Sequence, residues 1–337
     1  MGRKTIYNNN LTNDEKWKEV LENNKILFDE FVEYCKSEDK SVESLKQYKA
    51  NLKIFFIWNC NKNNNKFFVD LTIKDVIKYQ NYLMSLNLSS ARIRTLKSVL
   101  SSLANYVELI DGDTYPTFKN IINKIKPPSL TTIREKTILS NSDIEKILNT
   151  LVDKNLNQIA CYISLAIFSG SRKQELLQFK TCFFNEENYQ KEIGMYITPE
   201  KIRTKGKGKV GKPLNKYTIK SGFEKYLKLW INERNIKNIN SEWLFISHGK
   251  KAKISTINYW MDLVTKLTGY TLYSHCFRHT YVTSLCKNNV SPDVIKDIVG
   301  WNDISMISTY NDQKMEDKLK EYFSEAGVKF TEKKNSI

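Results

Sequence analysis

Residues 274–310 read SHCFRHTYVTSLCKNNVSPDVIKDIVGWNDISMISTY, and the spacing within them decides how the rest of the chain is interpreted. Arg278 to Lys287 keeps helical spacing. Ser291-Pro292 then opens a second helix to Val299, with a capping serine and a proline at the first helical position. His275 and Arg278 stand three residues apart, so one helical turn points them the same way. One of them can move a proton while the other neutralises charge at the same phosphate. His279 points elsewhere and reads as structural. A capping histidine beside a surface arginine would give the same letters, and Trp301 and Tyr310 taken singly read as core aromatics. The wider chain has to decide.

Upstream, the apolar run Ile159 to Phe168 is interrupted by Ser169-Gly170-Ser171, and Arg172 to Phe179 resumes helical spacing. This puts Arg172 at a helix start, where backbone donors and the dipole favour an anion. Its guanidinium fork matches phosphate oxygens. Glu175, one turn along, can hold the arginine in place, although an ordinary surface Arg–Glu pair would look the same. Residues 201–220, KIRTKGKGKVGKPLNKYTIK, carry eight basic side chains and no acidic one. Following an expected strand at Met195-Tyr196-Ile197, this reads as a basic hairpin. Such a hairpin suits a DNA backbone, each neutralised phosphate releasing counterions. A plainly solvated charge run is the alternative. A hairpin lysine could also act as a general acid, with several candidates available.

The whole chain has 337 residues, room for about two domains at roughly 100–200 residues each. Its 53 Lys and Arg against 37 Asp and Glu leave a formal charge of +16. That excess favours an anionic partner, nucleic acid first and an acidic membrane surface second. The longest apolar stretch, Ile159 to Phe168, falls well short of the roughly 20 residues that cross a bilayer. The polar start has no apolar segment of the kind a secretory signal carries, so a cytoplasmic protein without membrane partners is expected. Six scattered cysteines, with no C-x-x-C pair, read as reduced thiols, and three histidines give no clustered ligand set. No metal and no cofactor are expected.

The fold class expected is mainly α with a minor β component (α+β). In the first part, Lys16 to Cys35 and then Ser41 to Ile57 carry apolar residues at helical intervals, followed by a polar loop at Asn59 to Lys66. Thr72, with Asp75 three residues on, caps Ile73 to Leu86, and Ser89 or Ser90 caps a helix through Val107. On that last helix Arg92, Arg94 and Lys97 lie off the apolar face. Pro127-Pro128 marks a linker. Beyond it, a helix starting at Ser140 or Ser142 runs to Leu151. Ser221 to Arg234 and Ser255 to Leu267 are further helices, and one small antiparallel sheet is expected around the basic hairpin.

In chain order the features are S-G-S-R-x-x-E-L, a basic glycine hairpin, H-x-x-R-H, G-W and Y. This pattern resembles the tyrosine recombinase (phage integrase) family, of the Cre- and Xer-like kind. The intervals match as well, with 23 residues from Arg278 to Trp301 and nine from Trp301 to Tyr310. The resemblance covers the chain from about Ile138 onwards and extends more weakly to the N-terminal helices. It implies a helical, SAM-like core-binding domain at 1–125, a linker at 126–137 and a catalytic domain at 138–337. Trp301 stands where many members have a second histidine. Lys205 fits the family's hairpin lysine best, lying eight residues before Pro213, with Lys207 and Lys209 as alternatives.

What the resemblance implies is metal-independent DNA cleavage and rejoining. Tyr310 would attack a phosphate to give a 3′-phosphotyrosyl bond and a free 5′-hydroxyl. Arg172 and Arg278 would clamp the non-bridging oxygens, and Lys205 would protonate the 5′-oxygen. His275 would assist proton transfer or hydrogen-bond the phosphate, Trp301 would add an N–H, and Glu175 would orient Arg172 or His275. Candidate DNA contacts are Arg92, Arg94, Lys97, Arg203, Lys207 and Lys209. Partners implied are duplex DNA with a specific recombination site and, on it, a homotetramer of C-shaped two-domain protomers that are monomers in solution, at the nucleoid. The tail after Tyr310 places Met315, Leu319, Tyr322, Phe323 and Ala326 on one helical face, for docking on its own domain or on a neighbour. The rival readings are a non-catalytic DNA-binding regulator derived from an integrase and a type IB topoisomerase that relaxes DNA.

Overall fold

The computed structural model describes residues 14–130, 137–206, 211–309, 323–324 and 327–328. The chain divides into two compact units, with the break between Glu135 and Lys136.

Helices α1 (Asp14–Lys18), α2 (Glu22–Ser37), α3 (Val42–Lys62), α4 (Ile73–Ser85) and α5 (Ser90–Leu109) build the first unit. Their starts follow from capping chemistry. Ser41 accepts from the Ser44 N–H, Ser89 from the Arg92 N–H, and Thr72 with Asp75 closes a reciprocal capping box. The apolar stripes of α2 to α5 meet in one core around Phe31, Leu52, Phe55, Phe56, Tyr79, Leu83, Leu100 and Leu103. Each such side chain contributes about 1.5–3 kcal/mol on burial.

Two elements differ from expectation, both through asparagines. The helix expected over Lys16 to Cys35 breaks before Glu22, where the Leu21 N–H donates to Asn65 Oδ1 at 3.0 Å. The break lets Trp17 turn onto Phe28, with ring centroids 5.0 Å apart. The polar loop expected over Asn59 to Lys66 begins only at Asn63, because Asn59 to Lys62 form the last turn of α3. Asn59 is buried and, together with Asn24, donates to the Lys66 carbonyl at 2.7 and 2.8 Å. These amides satisfy backbone groups that water would otherwise take, so polar letters end up inside.

In the second unit, α6 (Asn141–Asp153) starts from a Ser140–Asp143 capping box, and α7 (Asn157–Ser169) is apolar on all sides. Such a helix belongs at the centre of a core, and α7 packs against α6, α9 (Lys220–Ile236) and α11 (Ser274–Lys287). The short α8 (Lys173–Leu176) follows, covering only part of the helix expected over Arg172 to Phe179. Strands β1 (Tyr189–Gln190), β2 (Met195–Ile197) and β5 (Tyr217–Ile219) form an antiparallel sheet in the order β1-β2-β5. Between β2 and β5, β3 (Ile202–Thr204) and β4 (Lys212–Leu214) pair as the basic hairpin. Strands β6 (Ile246–Ser247) and β7 (Lys250–Lys251), then α10 (Ile254–Thr268) and α12 (Pro292–Val299), follow in the same unit.

Strands β8 (Phe323–Ser324) and β9 (Gly327–Val328) pair antiparallel, with Phe323 opposite Val328. The helical face expected to run through Phe323 is therefore not helical there. Ala326, Met315, Leu319 and Tyr322 lie outside the described residues. In place of one small sheet, the described residues hold a three-stranded sheet and three two-stranded ladders. Strands of two or three residues carry too little alternation to be seen as letters.

Asp75 gives the first unit a testable pH dependence. It is 2% exposed, and burial alone would raise its pKa. The Thr72 hydrogen bonds and Lys66, 2.9 Å away, outweigh burial and bring the pKa down to about 2. Asp75→Asn should cost about 1 kcal/mol in denaturation of the full chain at pH 7. The difference from wild type should persist down to about pH 4, the unfolded value, and close as pH falls further towards about 2. A gap that does not change with pH would contradict this.

Candidate active site

The site grows from one buried cation. Arg278 on α11 is 1% exposed, and its guanidinium donates to the Gly170 carbonyl from Nη1 and to the Val299 carbonyl from Nη2, both at 3.0 Å. Those carbonyls stand at the C-terminal ends of α7 and α12, where unsatisfied C=O groups and the helix dipole favour a positive charge. Both helices end in left-handed glycines, Gly170 at φ 59° and Gly300 at φ 73°. A Cβ on Gly170 would lie 2.3 Å from the Tyr281 ring, so neither the dihedral nor the space admits another residue. Helix α11 starts at Ser274, four residues earlier than its letters suggest, which puts His275 on the same helix as Arg278.

Two residues beyond Gly170 the chain reaches Arg172, the N-cap of α8. Its Nη1 donates to Glu175 Oε1 at 2.9 Å and its backbone N–H donates to Glu175 Oε2 at 3.1 Å. Of the two partners expected for Glu175, Arg172 is the one these hydrogen bonds reach. Glu175 is itself buried, and its Oε2 also meets Lys216 Nζ at 2.7 Å. Burial pushes the Glu175 carboxyl up, but Lys216, the Arg172 N–H and the Arg172 guanidinium together hold it below the ordinary value. For Lys216, burial is the largest influence and lowers its pKa, with Arg278 and Arg172 adding to it and Glu175 opposing.

Lys216 was not among the expected site residues. Its letter is one of eight cations in a stretch that reads as solvated. The available signal was alternation: Lys216 and Thr218 both face inward around Tyr217, and both are buried. The Lys216 N–H donates to Thr198 Oγ1 at 2.9 Å, which fixes it at the entry to β5.

Trp301 is also buried, among Tyr281, Val282, Ile295 and Val299, and its ring lies 5.6 Å from the Arg278 guanidinium. This is a cation–π contact that helps hold a desolvated charge. His275 is open to solvent on one side. The protein packed around it is the largest influence on its pKa, and with His279, Arg278 and Arg172 adding positive charge it is driven down to about 4, against a weaker pull from Glu175. The His275 and His279 rings meet edge-on, with centroids 5.2 Å apart.

Lys205 is exposed just beyond β3. The base of its hairpin is tied down on two sides. Gln178, after α8, exchanges hydrogen bonds of 3.0 and 2.9 Å with the Arg203 backbone, and Leu214 packs on Gly300. Arg203 itself is exposed on β3. Lys207, Lys209 and Tyr310 lie outside the described residues. Thr309, the residue before Tyr310, ends a 3-10 turn over Ile304–Thr309.

In the first unit, Arg92 and Arg94 are half-buried on α5, with Arg94 Nε donating to the Pro128 carbonyl at 3.0 Å. Lys97 departs from its expected place on the surface. It is buried, and its ammonium donates to Gln80 Oε1 and the Ile125 carbonyl at 2.8 and 2.6 Å. Burial lowers its pKa, and those two bonds hold the segment before Pro127 against α5 instead of leaving a cation for a phosphate.

Comparison with known proteins identifies the family and the fold. Residues 137–317 match the phage integrase family, and residues 27–111 match the N-terminal SAM-like domain of phage integrases. The chain is 29% identical over 281 residues to the SPbeta prophage-derived recombinase-like protein YomM of Bacillus subtilis, covering 81% of each. It is 27% identical over 306 residues to the tyrosine recombinase XerA of Pyrococcus horikoshii, covering 88% of this chain and 91% of that one. Among solved structures, the Tn1549 transposon integrase in complex with circular intermediate DNA superposes with a TM-score of 0.60 at 16% identity. That match covers 88% of this chain and 98% of the other and speaks to the fold.

Burial and the charge around His275 set its titration. In an NMR titration of the full chain, its ring protons should move with a midpoint well below 6.5, towards about 4. Because the unfolded state takes its proton near 6.5 and the folded state resists until about 4, stability should fall as pH drops through that window. His275→Gln should flatten that part of the curve. A midpoint at or above the ordinary histidine value would show that neither burial nor the surrounding cations act on it.

Proposed function

The chain belongs to the phage integrase family, and from that premise we propose that it is a site-specific DNA recombinase that cuts and rejoins duplex DNA with Tyr310 as its nucleophile. The observation that carries this reading is that Arg172, held on the buried Glu175 after α7, and Arg278, buried on α11, both act on His275 at the start of α11. Two guanidiniums converging where a neutral imidazole reaches solvent suit a phosphodiester. The arginines balance charge on the non-bridging oxygens, and the imidazole exchanges a proton at the surface.

In the reaction, the Tyr310 oxygen bonds to phosphorus as the bond from phosphorus to the 5′-oxygen breaks. The phenol proton leaves to His275 or water, and Lys205, exposed on the anchored hairpin, supplies a proton to the 5′-oxygen. A 5′-hydroxyl from the partner strand then attacks the phosphotyrosyl bond and reverses each step. The ester energy is kept in that bond, so the chemistry needs no nucleotide. Exchange between two duplexes, each cut on both strands, calls for four protomers. The remaining exposed cations, Arg203 among them, hold the backbone, and Arg92 and Arg94 serve the first unit in the same way. No helix among the described residues is long and apolar enough to cross a membrane. A protein with this role works where the DNA is, at the nucleoid in the cytoplasm.

The test uses nicked duplexes tiled across the DNA that flanks the coding sequence, with products resolved in detergent. Wild type should form a covalent protein–DNA adduct on at least one duplex, and Tyr310→Phe should bind it without forming the adduct. Arg172→Ala should slow adduct formation by about 100- to 1,000-fold, as for removal of one positioned charge donor. Binding without an adduct by wild type on every duplex would overturn the reading.

A further inference from the structure

Resting on the recombinase reading, we propose that Lys216 is a positioning residue that neutralises Glu175 and so leaves the full charge of Arg172 for the scissile phosphate. Three observations lead there. Glu175 offers Oε1 to the Arg172 guanidinium and Oε2 to Lys216, at 2.9 and 2.7 Å, so its two oxygens are divided between two cations. Lys216 and Glu175 are each 1% exposed, which makes their interaction a buried one that salt screens little. And Lys216 feels Arg172 and Arg278 as well as Glu175, so all four charges form one cluster.

Three cations against one carboxylate leave the cluster at +2. Attack of a tyrosine oxygen on a phosphodiester gathers two negative charges around phosphorus, so the cluster matches the transition state better than the singly charged ground state. Without Lys216, Glu175 would have Arg172 as its only close counter-charge. The guanidinium would be drawn onto both carboxylate oxygens, and the site would present about half its charge when the reaction needs it. Lys216 is not itself the proton donor, because its Nζ is buried against Glu175 while the leaving oxygen arrives from solvent with the DNA. Exposed Lys205 and buried Lys216, eleven residues apart in one basic stretch, thus have different work.

The experiment is a double-mutant cycle on the nicked duplex that traps wild type, comparing Lys216→Met, Glu175→Gln and the double variant. Single-turnover adduct formation and duplex affinity are measured for each, with thermal melting alongside. Lys216→Met should slow adduct formation about tenfold or more while changing affinity by less than about twofold, since the lost charge acts in the transition state. With Glu175 already neutral, removing Lys216 should have little further effect, so the double variant should match Glu175→Gln and exceed Lys216→Met.

Equal rates for wild type and Lys216→Met would overturn the proposal. So would a double variant no faster than Lys216→Met although it melts and binds like wild type. If Lys216→Met does not fold, the comparison of the double variant with Glu175→Gln decides. A slower double variant would mean that Lys216 acts other than through Glu175, against the proposal. A wild-type protein that traps no duplex would sink the recombinase reading itself, a separate outcome from any change among the variants.

Discussion

The guanidinium of Arg278, held between the carbonyls of Gly170 and Val299, is the contact on which the catalytic unit depends. A charge removed from water costs several kcal/mol unless its donors are met. Here the ends of two helices meet them. Because α7 must stop where its carbonyl can reach Arg278, the chain turns at Gly170 and delivers Arg172 two residues later. Because α12 must stop likewise, the chain turns at Gly300 and lays Trp301 beside the same guanidinium. One buried cation therefore fixes the places from which a second arginine and a tryptophan are presented, and the 3-10 turn leading to Tyr310 follows directly.

Electrostatics then explains why the rest of the cluster takes the form it does. Two arginines and a lysine close together would repel, and Glu175 holds them together without cancelling them. Burial first, and the same positive surroundings second, keep the His275 imidazole neutral, the state in which it can accept as well as donate. A cluster with more cations than carboxylates has charge left over for an anion, as the proposed phosphodiester would require.

Much of this was legible beforehand because it rests on local chemistry. The caps at Ser41 and at Thr72 with Asp75 are written in four-residue windows, and the start left open between Ser140 and Ser142 resolves to Ser140. The pairing of Arg172 with Glu175 follows from their three-residue spacing at a helix start. What could not be seen depends on partners distant in sequence. Asn59 is inside because the Lys66 carbonyl comes back to it. Lys97 is inside because Gln80 and the Ile125 carbonyl are there to receive it. Burial of a polar side chain is decided by its partners, and letters on one helix do not name them.

Lys216 is the sharpest instance. Eight cations in twenty residues read as one basic surface, and counting them assigns all of them the same work. The fold separates them by strand alternation. At the entry to β5 the chain turns Lys216 and Thr218 inward, whereas Lys205, beyond β3, is left in solvent. An exposed lysine can meet a phosphate or deliver a proton, but its interaction is weakened by water and salt. A buried lysine cannot touch DNA from where it sits, yet at 2.7 Å from a buried carboxylate it sets the charge on everything that carboxylate touches. The net charge of the chain therefore measures its attraction for a polyanion. Its chemistry is set by how few of those charges lie inside, and by which carboxylate they face.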